Sequence, residues 1–581
     1  MQAAKSVQAA FRAACFSVLF IAFDVAMPAA QTAPPVLYFS DIVGGPKSGN
    51  SDTSLGQTAG QDGAIVTVWG RNLDNADIYC NGARAAYYYF RGNATQPADL
   101  YAFHKMQTIS FQVSHLANNG TGEIYAVVSG QQSNRLPFTV HSGNIYFVKT
   151  SGNDTTGNGS WTQPWRTIPK AADTLAPGDI AYIGNGVNQT TETAFSACVN
   201  LGTDGTTSSP KALVVYPGAT SRVGNPNLER AFHIWNTDAG GYSKYWVLSK
   251  FTIATMSVGI FANTGFRVVG NRFTAPNVNG PLEGTLYAIG SDVYLLGNEL
   301  YNDGTSQTLD KTHHIIYVTG VRQDDPPRAP TERNREIAWN YVHDNGTNRA
   351  IDIYSEQATS AYIQQHKVHD NVIVSQRGDG ILLGYYVTGE NWIYNNLIIR
   401  AGLGPEYEET TYHTGIHIDT GHENIPAAGT ILHCYNNTLY GCGWSGGPFP
   451  EENGAILITS AAISRSTINF GNNIIYSTGD PYIAGESGSL PSANHRNCWF
   501  GQGAAPAWDT GAINVDPQFV GAGSNNLQLK QTSPCINRGR NVSSIVTRDL
   551  LGVTRPQGSA HDLGAYEFQA PQASVGKWIL Y

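Results

Sequence analysis

An apolar run, a single Asn and a second apolar run recur along this chain, and that recurrence restricts the fold more than anything else in it. The copies read VVGNRF (268–273), LLGNEL (295–300), IAWNYV (337–342), HDNVIV (369–374), IYNNLI (393–398), CYNNTL (434–439), FGNNII (470–475) and HRNCWF (495–500). Their asparagines are Asn271, Asn298, Asn340, Asn371, Asn396, Asn437, Asn473 and Asn497, spaced by 27, 42, 31, 25, 41, 36 and 24 residues. Irregular periods of this size, with short β-rich units and Gly or Asn at the turns, belong to stacked coils rather than to a layered globule. In such a coil each Asn is expected at a turn, its amide bonded to those above and below. The coil also exposes a long, ladder-like face suited to a polymer.

The chain has 581 residues, more than one ordinary core holds, so at least two units are expected. Only 14% of residues are charged, against about 25% in typical domains. With 63 Gly and 30 Tyr, this suits an exported β protein. The net charge of −9 and the lack of any basic run argue against a nucleic-acid partner. Residues 1–30 read as a signal peptide: Lys5 and Arg12, an apolar stretch over 13–23, then small residues around Ala26, Ala29 and Ala30. No later apolar stretch approaches ~18 residues, so no transmembrane helix is expected. The mature chain is expected to be a monomer, secreted or held at a bacterial cell surface. Cys15 leaves with the signal. Cys434 with Cys442 and Cys498 with Cys535 are candidate disulfides, and buried free thiols are the alternative.

Residues 34–141 hold short alternating strands: GAIVTVWGRNL (63–73), TISFQVS (108–114), GEIYAVVSG (122–130) and SNRLPFTV (133–140). Such strands predict a small β-sandwich. The Gly70-Arg71-Asn72 turn, Ser133-Asn134 and the Phe138-Thr139-Val140 ending resemble the immunoglobulin-like IPT/TIG family. That resemblance implies a spacer or binding module without catalysis. Residues 144–570 form the second unit. After the strand IYFV, the apolar positions Ile168, Ala171, Ala172 and Leu175 fall at helical spacing and stop at Pro177-Gly178-Asp179. A short helix there would cap the open end of a coil. The order Gly152-x-Asp154, Pro164-x-x-Thr167-Ile168 and Pro177-Gly178-Asp179 resembles the N-terminal cap of right-handed parallel β-helix proteins, polysaccharide lyases of the pectate-lyase-like fold among them. The stretch with Ser533-Pro534, Gly539, Asp549, Gly552, Arg555, Asp562, Gly564-Ala565 and Glu567 resembles the choice-of-anchor-Q ending of bacterial β-helix proteins, and its charged residues are expected to form a structural network. Residues 571–581 are a tail. The expected fold is therefore all-β: an Ig-like sandwich followed by a right-handed, single-stranded parallel β-helix.

The strands HHIIYVTG (313–320), RAIDIYSE (349–356), DGILLGYY (379–386), TGIHIDTG (414–421) and GAILITSA (454–461) stack by eye. Aligning Ile315, Ile351, Ile381, Ile416 and Ile456 as core positions leaves three outward rows. The first holds His313, Arg349, Asp379 and Thr414; the second Ile316, Asp352, Leu382 and His417; the third Val318, Tyr354, Gly384 and Asp419. Lys311, Glu356, Tyr385 and His422 lie near the edges. Ionisable groups and tyrosines thus gather on one wall. One chemistry that fits is β-elimination on a uronic-acid polymer, which needs a cation at the carboxylate and a base at the adjacent proton. Arg349 or Lys311 could neutralise, and His417, His313 or Tyr354 could move the proton. Calcium held by Asp352, Asp379 or Asp419 is an alternative to the cation; no other cofactor is called for. Lys311, Tyr385, Glu356 and Asp419 are candidate substrate contacts. The resemblance to polysaccharide lyases points the same way, and the same set would serve a C5-epimerase. Two carboxylates, Asp352 and Asp379, keep glycoside hydrolysis open, although Asn-Thr-Asp, Gly-His-Gly and Arg-Ile-Lys, the polygalacturonase motifs, are missing. A non-catalytic polysaccharide binder or adhesin on the same scaffold is the reading outside enzymes.

Overall fold

The computed structural model describes residues 33–236, 239–276, 284–304, 313–320, 331–355, 362–404, 413–420, 429–444, 446, 451 and 453–570. Over these the solenoid consists of three parallel sheets of twelve, ten and nine strands. Successive strands in each sheet come from successive turns of the chain, so the protein is a parallel β-helix. Each turn passes through the twelve-stranded sheet, the ladder Asn, the ten-stranded sheet and then the nine-stranded sheet, here called the front sheet.

The Asn motif works through backbone and amide together. The residue before each Asn has positive φ: Gly270, Gly297, Trp339, Asp370, Asn395, Asn436, Asn472 and Arg496. That left-handed residue turns the chain at the corner and sends the Asn side chain inward. Asn271 then donates from its backbone N (3.0 Å) and its Nδ2 (3.1 Å) to Asn298 Oδ1. The same pair of bonds repeats through Asn340, Asn371, Asn396, Asn437, Asn473 and Asn497. All eight amides are fully buried. The ladder has a direction, and its last donors need a side-chain oxygen to end on. Asp509 Oδ2 is that group, taking Asn497 N (3.1 Å) and Nδ2 (2.9 Å).

The N-terminal turn is closed by the expected helix, Ile168–Thr174, with Thr167 as its N-cap and Ile168, Ala171 and Ala172 buried. Asp179 ends it by accepting from Ala176 N (2.9 Å) and Asn144 N (2.7 Å). At the other end Arg555 binds Glu567 (2.9 Å), while Asp549 and Asp562 accept backbone N–H groups from Leu551, Val553, Glu567, Asn537 and Phe568. All six described cysteines are free and buried. Cys434 and Cys442 do not pair: the Cys434 sulfur takes the Asn437 amide, and the Cys442 thiol faces the Ile398 and Tyr440 carbonyls. Cys498 and Cys535 are also unpaired, and the Cys498 thiol donates to Val515 O (3.3 Å).

Ahead of the solenoid, two mainly antiparallel sheets share an apolar core that includes Val68, Ile109, Phe111, Ile124 and Phe138. This unit packs directly on the solenoid. Its core continues into Phe147, Ile180, Tyr182 and Val214 on the outside of the twelve-stranded sheet. Tyr182 Oη accepts from Ile65 N (2.6 Å) and donates to Ile65 O (2.8 Å). Further along the same flank, Arg267 donates to Ser40 O (2.8 Å) and Trp339 packs on Phe39 and Tyr38.

On this flank His369 sits between Asp370 Oδ2 (2.7 Å) and Glu336 Oε1 (3.1 Å), its ring stacked on Tyr394. Burial disfavours its charge, but bonds to the two carboxylates outweigh that and raise it to about 9. A histidine so raised contributes stability that is complete below its unfolded value of about 6.5 and is lost as pH rises through about 9. The expected loss between these limits is about 3 kcal/mol. Urea unfolding across this range measures it, and His369→Gln should flatten the slope. An unchanged slope in the variant would remove His369 as its source.

Candidate active site

The front sheet carries the candidate groups. Its strands are β1 Ala197–Asn200, β2 Arg230–His233, β3 Val258–Ala262, β4 Gly284–Ala288, β5 His314–Val318, β6 Ile351–Ser355, β7 Ile381–Tyr385, β8 His413–Thr420 and β9 Asn453–Ile458. Ile351, Ile381, Ile416 and Ile456 are in register and buried, as the sequence alignment placed them. The alignment slips by one residue at β5. Ile316, not Ile315, pairs with Ile351, and Tyr317 pairs with Asp352. Ile315 and Ile316 both point into the core because the chain bends at this corner; the small residues Ala350, Gly380 and Gly415 fill the matching position in later turns.

That slip corrects one candidate and adds two. His313 is fully buried, with Nε2 3.2 Å from Thr285 Oγ1, and burial with the adjacent His314 lowers it to about 3. It does not share the outer wall. His314 and Tyr317 do, and strict alternation had hidden both. The signal for them was the small residue ahead of the core Ile in later turns, which marks the corner.

Five side chains from four successive turns, on or just ahead of β5 to β8, form one linked network. Asp352 Oδ2 lies 3.0 Å from both His314 Nε2 and Arg349 Nη1. Arg349 Nε reaches Asp379 Oδ2 at 3.2 Å, and His417 Nδ1 lies 3.2 Å from the same oxygen. Thr414 donates to Asp379 Oδ1 from its backbone N (2.9 Å) and its hydroxyl (2.8 Å). The order is therefore His314, Asp352, Arg349, Asp379, His417. Both carboxylates are fully buried and the two imidazoles nearly so (His417 2%, His314 7% open), whereas the Arg349 side chain keeps 15% of its surface open. Burial pushes both carboxyls up, yet His314 and Arg349 hold Asp352 below the usual range, and His417, Arg349 and Thr414 do the same for Asp379. Asp352 Oδ1 and His314 Nδ1 are buried and have no hydrogen-bond partner among the described residues.

Beside the network, the Tyr354 and Tyr385 rings lie 4.7 Å apart. Gly384 makes that possible: a Cβ there would come within 2.5 Å of the Tyr354 ring. Asp419 Oδ1 accepts from the Thr459 hydroxyl (2.8 Å). Lys311, Glu356 and His422 lie outside the described residues. Asp352, Asp379 and Asp419 do not converge as a calcium site would require. The Arg349 guanidinium stands between the first two, and no group of three or more metal-ligating side chains occurs among the described residues.

No family model matches the chain, and no curated protein matches it. Among solved structures, pectate lyase Pel9A is 13% identical with a TM-score of 0.39, over 74% of this chain and 97% of that one. The Yersinia enterocolitica family 28 exopolygalacturonase is 12% identical with a TM-score of 0.34, over 77% of this chain and 92% of its own. A rhamnogalacturonan lyase is 13% identical with a TM-score of 0.32, over 58% and 84%. At these scores the likeness carries no argument about chemistry.

Proposed function

We propose that this chain is an exported polysaccharide-acting enzyme whose front-sheet network performs β-elimination at a uronate unit. One observation carries the reading: a partly open guanidinium and two Asp-anchored imidazoles are linked in one network across four successive turns of the front sheet. Burying five ionisable groups is costly, and an apolar wall would serve the fold as well or better. In the proposed reaction Arg349 faces the uronate carboxylate. His417, its Nδ1 turned to Asp379, takes the proton beside that carboxylate at Nε2. The electron pair left behind forms the C4–C5 double bond, the C4–O bond breaks, and the leaving oxygen takes a proton from Tyr354 or Tyr385. Asp352 and Asp379 orient the bases and the cation and are positioning residues.

The network speaks against hydrolysis by these two carboxylates. A glycosidase of that kind needs one carboxyl kept protonated for the leaving group. Both Asp352 and Asp379 are instead held below the usual range and tied to the Arg349 guanidinium. The test is incubation with pectate, alginate and glycosaminoglycans while following ultraviolet absorbance. New absorbance from unsaturated ends supports the proposal. New reducing ends without absorbance would replace it with a hydrolase, and polymer binding without either would replace it with a binder.

A further inference from the structure

The outward column that contains Asp352 continues toward the N-terminus as aromatic rings. Tyr317 pairs with Asp352, Tyr287 with Tyr317 and Phe261 with Tyr287, strand by strand. Their rings lie 5.6 and 4.7 Å apart, and His233 follows at 6.1 Å from Phe261. Phe261 and Tyr287 are buried, but the far end opens to solvent. There Phe195, 45% exposed, stacks on His233, and half-buried Tyr242 and Trp235 extend the patch sideways. From Asp352 to His233 is four strand spacings, roughly 19 Å.

This stretch is also nearly uncharged. Among the described residues of β1–β5 the one Lys or Arg is Arg230, and Glu229 neutralises it at 2.5 Å. Burial, with Arg230 nearby, lowers His233 to about 4, so its ring is neutral near pH 7. Among the described residues of this wall, cationic anchoring begins at Arg349, which two carboxylates already share. A polymer with a carboxylate on every unit would lay several charges over rings beside which the described residues of β1–β5 offer no free counter-charge. Apolar faces of neutral pyranoses suit those rings, since flat aromatic side chains bury large area without needing a charged partner.

We propose that the open aromatic patch of Phe195, His233, Trp235 and Tyr242 seats neutral sugar units, and that the substrate is an acidic heteropolysaccharide lying along the solenoid axis with an isolated uronate at Arg349. This rests on the reading of the Arg349 network as the reacting site and narrows its substrate class. The experiment uses the full-length His417→Gln variant, expected to turn over slowly, in calorimetric binding to oligosaccharides of matched length. The probes are polygalacturonate, alginate, hyaluronan and gellan; in the last two, glucuronate is separated by other sugars. Binding to hyaluronan or gellan fragments is expected to be tighter by about tenfold or more than to either homopolymer. Adding Phe195→Ala and Trp235→Ala should weaken the heteropolymer by about tenfold and leave the homopolymers unchanged. Equal or tighter homopolymer binding, no binding to either heteropolymer, or no effect of the two aromatic substitutions would overturn the inference. The reacting site has its own readout: if Phe195→Ala and Trp235→Ala change nothing while His417→Gln alone stops turnover, the platform falls and the site stands.

Discussion

His417→Gln is expected to lower kcat by about 10²–10⁴-fold, the range for removing a positioned general base, with little change in KM. Gln can still donate to Asp379, which keeps its bonds to Arg349 and to the Thr414 N–H and hydroxyl. Melting temperature should therefore move little. Initial rates followed by the absorbance of unsaturated product, alongside thermal unfolding, separate the two quantities. Arg349→Ala is the poorer test. It strands two buried carboxylates, and breaking a buried pair in this way costs about 3–5 kcal/mol, so lost activity there could be lost fold. Turnover at the wild-type level in His417→Gln would remove His417 as the base. His314→Gln is the natural comparison, because His314 is anchored to Asp352 at the opposite end of the same network.

The same residues explain why part of the site was legible in the sequence and part was not. From β6 to β9 the core Ile recurs in clean alternation, so the sequence alone brings Arg349, Asp352, Asp379 and His417 to one side of the front sheet. At β5 two isoleucines follow each other, and period-two reading cannot say which of them is the corner. A slip of one residue turned every side chain of that strand over, sending His313 outward on paper and hiding His314 and Tyr317. Lys311 and Glu356, also offered from sequence, lie outside the described residues. The calcium alternative turns on a different feature. Carboxylate content can be counted along a sequence, but an arginine lodged between two carboxylates depends on a bend at Arg349 that brings i and i+3 to the same side.

Fold and site meet at the corners. The ladder corner needs a left-handed residue followed by Asn, and the chain meets that need with Gly, Trp, Asp, Asn or Arg at the turn. Because the Asn amide fixes the corner, the preceding residue is free to vary, which is why the motif stays readable while its flanks diverge. The N-terminal unit was legible as strands, but not as a clamp. The tyrosine and arginine that hold it, Tyr182 and Arg267, sit in solenoid strands where nothing in the pattern distinguishes a contact from plain surface.

Asn371→Ala in the middle of the ladder is expected to cost roughly 3–5 kcal/mol, summing a few orphaned buried groups at about 1–3 each. Asn371 Oδ1 accepts from Asn340 N (3.1 Å) and Nδ2 (2.9 Å), and its Nδ2 donates to Ile337 O (2.8 Å) and Asn396 Oδ1 (3.0 Å). Ala removes all four bonds. The buried N–H of Asn340 then has no acceptor, whereas Asn396 Oδ1 keeps the backbone N–H of Asn371. Asn371→Asp should cost more, because an acceptor would replace the donor that faces Asn396 Oδ1 and Ile337 O. Asp509→Asn at the ladder's end should cost less, since one side-chain oxygen remains to take the Asn497 donors and only the bond from Arg496 N (3.1 Å) is lost. In a solenoid each turn is held by its neighbours, so a central break also loosens coupling between the two halves. Chemical unfolding of the three variants measures both effects, the cost from the midpoint and the coupling from the slope. A cost below about 1 kcal/mol for Asn371→Ala would mean that water or a relaxed backbone satisfies the corner, and that stacked apolar strands rather than the amide ladder set the register of the coil.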